Sequence, residues 1–290
     1  MNLLGRINLA FLAAFAIGGT VSGVIAHKIL QENAKREGLS TARLIMASAL
    51  ASRYYTSTEI VPLLQKELKH SFPPQSVPSY AATQNLDRLR QDRPEYTYKE
   101  ATLNPTNPRD RASDWEADIV NQFRNNKGLK ELSGERMTAV GPALYLARPL
   151  KIADPNCLRC HSTPSAAPAV MLAKYGEANG FGWQLDETVG SQIVSVPLAA
   201  ALDQANHTFV VFIASLLGVF ALVFVLINVM VRVIVLRPIA RLAALSEQVS
   251  RGDVSGTSFE GTGTDEISQL GRSFERMRRS LEKSLSLLQS

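Results

Sequence analysis

Cysteine is almost absent from this chain. Its 290 residues contain two, Cys157 and Cys160, too few for a disulfide scaffold and close enough together to form one site. Histidine numbers four, and no second Cys or Cys/His cluster exists to complete a structural zinc site. Charge of one sign is not concentrated anywhere. The 31 Lys and Arg are scattered among 26 Asp and Glu, leaving a formal +5 without the basic stripe that nucleic-acid binding requires. No nucleophile–base constellation or pair of facing carboxylates stands out, so the chain is not expected to be an enzyme. Charge is missing altogether from two long apolar runs. The overall apolar fraction of 46% is ordinary for a globular protein, and that average conceals these runs.

The first run is Ile7 to Ala26. Twenty helical residues rise about 30 Å, the thickness of a bilayer's hydrocarbon core. The competing reading is a cleaved secretory signal. Its apolar region should be shorter and should end at a small-x-small site, and Val24-Ile25-Ala26 is a poor one. The second run, Thr208 to Val231, is longer and equally free of charge, which fits a span better than a buried soluble helix. Arg232, Arg237 and Arg241 follow it, whereas Tyr175 to His207 contains no Lys or Arg. The positive-inside rule then places the C-terminus in the cytoplasm of a bacterial inner (plasma) membrane. Two spans put the N-terminus on the same side, where Arg6 agrees, and residues 28–207 outside, in the periplasm.

Both cysteines fall in Cys157-Leu158-Arg159-Cys160-His161, a C-x-x-C-H motif. In c-type haem attachment two thiols at this spacing add to the porphyrin vinyl groups, and the adjacent histidine becomes the proximal iron ligand. A thioredoxin-like dithiol has no need for the histidine. The inferred topology exports the motif to the side where such haem is attached. One covalent haem c per chain is therefore expected, on Cys157, Cys160 and His161. The sixth iron position is less constrained. His27 and His207 sit at span ends, which leaves His70, Met46, Met137 and Met171. Met usually fills cores. Met46 is the best candidate because it lies midway along a long helical run, Lys28 to about Ser57. Met46, Leu50 and Arg53 share one helix face, so Arg53 is the candidate partner for a haem propionate.

Further along, SFPPQSVPSY breaks the helix, and ATLNPTNPRDRASDWE contains two Asn-Pro turns. Ser113 or Asp114 can cap a helix through about Asn125. MTAVGPALYLARPLKI reads as a hairpin, and Gln192 to Val196 as a strand. The fold class expected is α+β. The stretches VPSYAAT, YKEATLNPTNPRDRASDWE, ALYLARPLKI, CLRCHSTPSAAP and YGEANGFGWQLDETVGSQIVSVPL resemble the Tll0287-like family of haem c sensor domains, in order from about Ala42 to Leu198. The resemblance implies a PAS-like fold with haem at the C-x-x-C-H segment and a distal ligand from the first helix, where this chain has Met46 and no cysteine.

Residues Arg237 to Leu281 resemble a HAMP domain. RPIARLAALSEQVSRGD matches its first helix and TDEISQLGRSFERMRRSL its second. Ile267, Leu270, Phe274, Met277 and Leu281 independently form a heptad seam. Leu285 and Leu288 then shift its phase, a stutter. HAMP domains are parallel dimers, so a homodimer is expected. The expected division is a first span at 7–26, a haem domain at 28–207, a second span at 208–231 and HAMP at 232–285. The leading functional reading is a haem-based sensor. A diatomic gas or a redox partner would alter iron ligation, and the change would pass through the second span and HAMP. No kinase, cyclase or methyl-accepting region follows HAMP in these 290 residues, so output is expected either through a separate cytoplasmic partner or through a further part of a longer chain. The alternatives are an anchored electron-transfer cytochrome, which has no need of HAMP, and a haem-free receptor, which leaves the motif idle.

Overall fold

The structure, a computed structural model, describes residues 3–139, 141–253 and 263–289. The chain divides into two compact units, Ala26–Phe209 and a second made of Met1–Ile25 with Val210–Ser290.

The first unit is built on a four-stranded antiparallel sheet. Its strands are β1 (Thr97–Thr102), β2 (Leu132–Thr138), β3 (Gly141–Lys151) and β4 (Thr188–Pro197), in the order β1-β4-β3-β2. Helix α1 (Leu3–Tyr55) and helix α2 (Pro78–Asp92) supply one apolar face against it. Ala42, Met46 and Ala49 of α1 and Ala82 and Leu86 of α2 pack with Tyr98, Leu144, Leu146, Val194 and Val196. Because side chains alternate across a strand, Ala101, Ala147 and Ile193 point the other way. There they meet Ile119 and Phe123 of helix α3 (Asp114–Asn125). Helices thus cover both faces of the central strand β4, which is buried along almost its whole length. Ion pairs pin α1 across the sheet. Glu131 accepts from Arg43 of α1 at 2.8 Å and from Arg148 of β3 at 2.9 Å, and Lys35 pairs with Glu135 of β2 at 2.7 Å.

Local chemistry explains several boundaries. Ser113 caps α3, and the Glu116 carboxylate accepts from its backbone N–H and its hydroxyl, both at 2.8 Å. At the end of α1 the hydroxyls of Ser52, Thr56, Ser57 and Thr58 each donate to the carbonyl four residues back. Such bonds compete with the helical ladder, and the chain widens into a π-helical stretch at Thr56–Ile60 before Pro62. The hairpin exists but starts earlier than its apolar half suggests. Leu132–Thr138 pairs with Gly141–Ala147, and its polar residues mark an exposed edge strand. Strand β1 and helix α2 carry no clear apolar alternation and are set by tertiary packing instead.

In the second unit, Phe15 stacks on Phe220 with ring centroids 4.7 Å apart. Gly23 lies 3.4 Å, by its missing Cβ, from Ile213. Phe220 and Ile213 belong to helix α6 (Ala199–Met230), counting α4 (Leu158–His161) and α5 (Ala169–Tyr175) before it. Helices α1 and α6 are both long and apolar enough to cross a membrane. After α6 come α7 (Arg237–Ser250) and α8 (Glu266–Gln289), with Leu242 and Glu275 buried. Part of the connector between them, and the Leu285 and Leu288 side chains of the proposed stutter, lie outside the described residues.

Candidate haem site

The C-x-x-C-H segment is a compact turn. Asp154 opens it, accepting from Asn156 N–H through its carboxylate at 2.9 Å and from Cys157 N–H through its carbonyl at 3.0 Å. The chain then enters α4, a single helical turn that ends on His161. Cys157 and Cys160 are free thiols, both half-buried. Burial raises both thiol pKa values. Asp154 adds to the rise at Cys157, while the Arg53 guanidinium opposes it.

His161 is held from two sides. The carbonyl of Gly180 lies 2.8 Å from Nδ1. A carbonyl oxygen only accepts, so Nδ1 carries the hydrogen and Nε2 keeps its lone pair. Burial lowers the histidine's pKa, which favours the neutral, ligating form, although the Gly180 bond opposes this. The Trp183 ring stacks on the imidazole at 4.0 Å. Trp183 N–H donates to His161 carbonyl oxygen at 3.2 Å, and Gly182 N–H donates to that of Ser162 at 2.9 Å. Gly180 is fixed in turn by Asn104, whose side chain accepts from its N–H at 3.3 Å and donates to Phe181 carbonyl oxygen at 3.4 Å. With a φ of +86°, and a missing Cβ only 2.0 Å from Thr106 Oγ1, position 180 tolerates no side chain without displacing the loop. A fixed imidazole beside two free thiols is the donor set that a covalently held haem requires. Among the described residues, no group of three or more His, Cys, Asp or Glu is placed to hold a bare metal ion.

The residues nominated on α1 separate in space. The positive charge of Arg53 opposes the upward shift of the Cys157 thiol. It is already ion-paired, Nη1 to Glu100 Oε2 at 2.5 Å, and the Glu100 side chain is only 2% exposed. Tyr98 donates to the other Glu100 oxygen at 2.7 Å, and Gln192 donates to the Tyr98 hydroxyl at 3.1 Å. Burial first, then the Glu100 charge, pushes the Tyr98 phenol upward and keeps it protonated. Met46 is fully buried in the apolar cluster between α1, α2 and the sheet. Met171 of α5 is also buried, whereas Met137 and His70 are exposed. Gly180, Trp183, Asn104 and Glu100 were not legible as site residues. The only local signals were the Asn179-Gly180 dipeptide and the Asn-Pro turn at Asn104.

The HAMP domain family matches residues 231–283. No curated protein is a significant match. Among solved structures, that of the cyanobacterial heme-protein Tll0287 aligns with 56% of this chain and 95% of its own, at 17% identity and a TM-score of 0.43. The Tll0287-like family matches residues 31–197, more than half of the sequence, and the chain belongs to that family.

Proposed function

We propose that this protein is a two-pass inner-membrane sensor whose periplasmic, PAS-like domain carries one haem c, and that it relays a redox or gas signal through HAMP. The observation that carries the reading is the His161 imidazole. It follows directly on Cys160, and Gly180 holds it so that Nε2 is free. A haem bound there would supply a one-electron couple and an iron centre for diatomic ligands. Cys157 and Cys160 would fix it covalently. The Gly180 carbonyl and the Trp183 ring would set the orientation and basicity of His161. Arg53 would share its guanidinium between Glu100 and a propionate. The distal position is proposed for the α1 face that bears Met46, whose sulfur would coordinate by leaving the cluster it now fills.

The output route follows chain order. Strand β4 ends at Pro197, and Leu198 alone separates it from α6, which leads toward α7 and the HAMP region. On α8, Leu270, Met277 and Leu281 are 58%, 57% and 44% exposed. An apolar seam left open in one chain favours a second copy as partner, hence a homodimer. No catalytic step is assigned, and a separate cytoplasmic protein is the proposed receiver.

Absorption spectra of the purified full-length protein test the reading. Oxidised and reduced forms are recorded with and without CO and NO, followed by acid-acetone extraction. Haem should stay with the polypeptide, and extraction of all of it would sink the c-type assignment. Absence of any response to CO or NO in the reduced protein would remove gas sensing and leave redox. A periplasm-dependent reporter should be active when inserted at Gln75 and silent when fused at Ser290; the opposite pattern would reverse the topology.

A further inference from the structure

The indole of Trp183 lies flat against the His161 imidazole, with ring centroids 4.0 Å apart and 14° between the planes. Trp183 is half-buried and stands outside both apolar clusters of the fold, so this large ring is not core filling. The backbone holds it in place. Trp183 N–H donates to the His161 carbonyl oxygen at 3.2 Å, and Gly182 N–H donates to that of Ser162 at 2.9 Å, which laces the segment to the end of α4. The imidazole edge is held separately. Its Nδ1–H donates to the Gly180 carbonyl oxygen at 2.8 Å, and Thr106 Oγ1 stands 3.5 Å from the same nitrogen. One hydrogen bond is enough to orient a ligand nitrogen. The stack adds a second restraint, and both oppose the same motion. Turning the imidazole about its Cβ–Cγ bond takes Nδ1 out of line with the Gly180 oxygen and drives one edge of the ring into the indole.

We propose that Trp183 is a positioning residue that keeps His161 on the haem iron when NO binds on the opposite side. The inference rests on the haem reading above and adds which iron bond gives way. NO on ferrous haem weakens the bond trans to it, and a histidine free to turn aside is then lost. In this protein turning aside costs the Gly180 bond and the indole contact together. The imidazole therefore stays, and the change in ligation is confined to the other face of the haem. The signal starts there and not with release of the α4 turn.

The test is electron paramagnetic resonance of the ferrous full-length protein under NO. Hyperfine splitting from a second nitrogen, trans to NO, reports a retained His161, and the parent should show it. Trp183→Leu should raise the ratio of five- to six-coordinate nitrosyl by about 2- to 12-fold, the range that an aromatic pair contributes. Trp183→Phe keeps a ring in place and should raise it by less. A second measurement needs no haem. In the full-length Cys157→Ser/Cys160→Ser protein, hydrogen exchange at His161 Nδ1–H, followed by NMR, should quicken by a similar factor when Trp183→Leu is added. A mainly five-coordinate parent nitrosyl would overturn the proposal, as would a ferrous parent that takes up no NO. So would a Trp183→Leu variant that leaves either quantity unchanged. With haem attached, these results refute the role of Trp183 alone; a parent without covalent haem refutes the haem reading, and this proposal with it.

Discussion

The two units treat their apolar residues in opposite ways. In Ala26–Phe209, Met46 and Leu146 are fully buried and Phe123 is 1% exposed. In the other unit, Leu217 and Leu222 are both 61% exposed and Val219 is 56% exposed. The difference is one of solvent rather than of packing quality. The first unit closes around its own sheet, so its stability is an internal sum of burial against chain entropy. The second presents helix surface long and apolar enough to cross a membrane, and an apolar α8 seam exposed in the single chain. Chemistry collects where closure is possible. The fixed histidine and the buried ion pair both lie in the first unit.

The largest expected effect that sharpens this contrast is the loss of haem. Replacing Cys157 and Cys160 together by Ser should abolish covalent attachment, judged by haem staining on a denaturing gel. Leu222→Ala in α6 should leave it intact. Haem that still survives denaturation in the double variant would refute the assigned linkage.

Next comes the buried pair. Arg53→Met strands the Glu100 carboxylate inside the fold and should destabilise the first unit by about 3–5 kcal/mol in urea unfolding. Adding Glu100→Gln removes the stranded charge and should recover most of the loss. If Arg53→Met alone costs nothing, the pair does not hold α1 to the sheet.

Met46→Ala comes third, at about 2–5 kcal/mol for a large-to-small change in a closed core. The same truncation at Leu222 should barely move the unfolding of the first unit, because that side chain contributes nothing to its core. Spectroscopy separates the two roles proposed for Met46. If it ligates iron, Met46→Ala turns a six-coordinate low-spin ferrous haem into a five-coordinate high-spin one that binds CO faster. An unchanged spectrum together with lost stability would make it core filling alone.

The smallest effect is a pH dependence. Burial pushes the Asp110 carboxyl from 3.8 up to about 6. The Glu100 charge adds to this rise, and the Arg109 and Lys99 charges oppose it. A raised acid binds its proton more tightly in the folded state, so protonation stabilises the fold. That contribution is complete below the unfolded value near 4 and is lost as pH rises through about 6. The parent should therefore lose about 1–3 kcal/mol over that window relative to Asp110→Asn, which stays neutral. Parallel pH profiles for the two proteins would show that Asp110 is not the titrating group.

The sequence alone determined the features that depend on short spacing or on bulk composition. Two charge-free runs specify membrane-length helices because hydrocarbon tolerates little else. Cys157, Cys160 and His161 stand together because a C-x-x-C-H spacing puts all three within five consecutive residues, one turn of chain. The Ser113 cap and the α8 heptads are equally local. What the tertiary structure decided is everything assembled across the chain. Strand β1 has no readable period because Tyr98 and Glu100 serve one face while Lys99 and Ala101 serve the other, and both faces are covered. The Gly180 carbonyl, 19 positions from His161, meets its Nδ1 only after β4 and the Asn104 loop have placed it. Arg53 and Glu100 are 47 positions apart, and Arg136 and Trp115 stack between a strand and a helix. Contacts at such separations leave no pattern in a single sequence. Their partners are fixed by how α1 and α3 dock on the sheet, and that docking is set by burial summed over many residues.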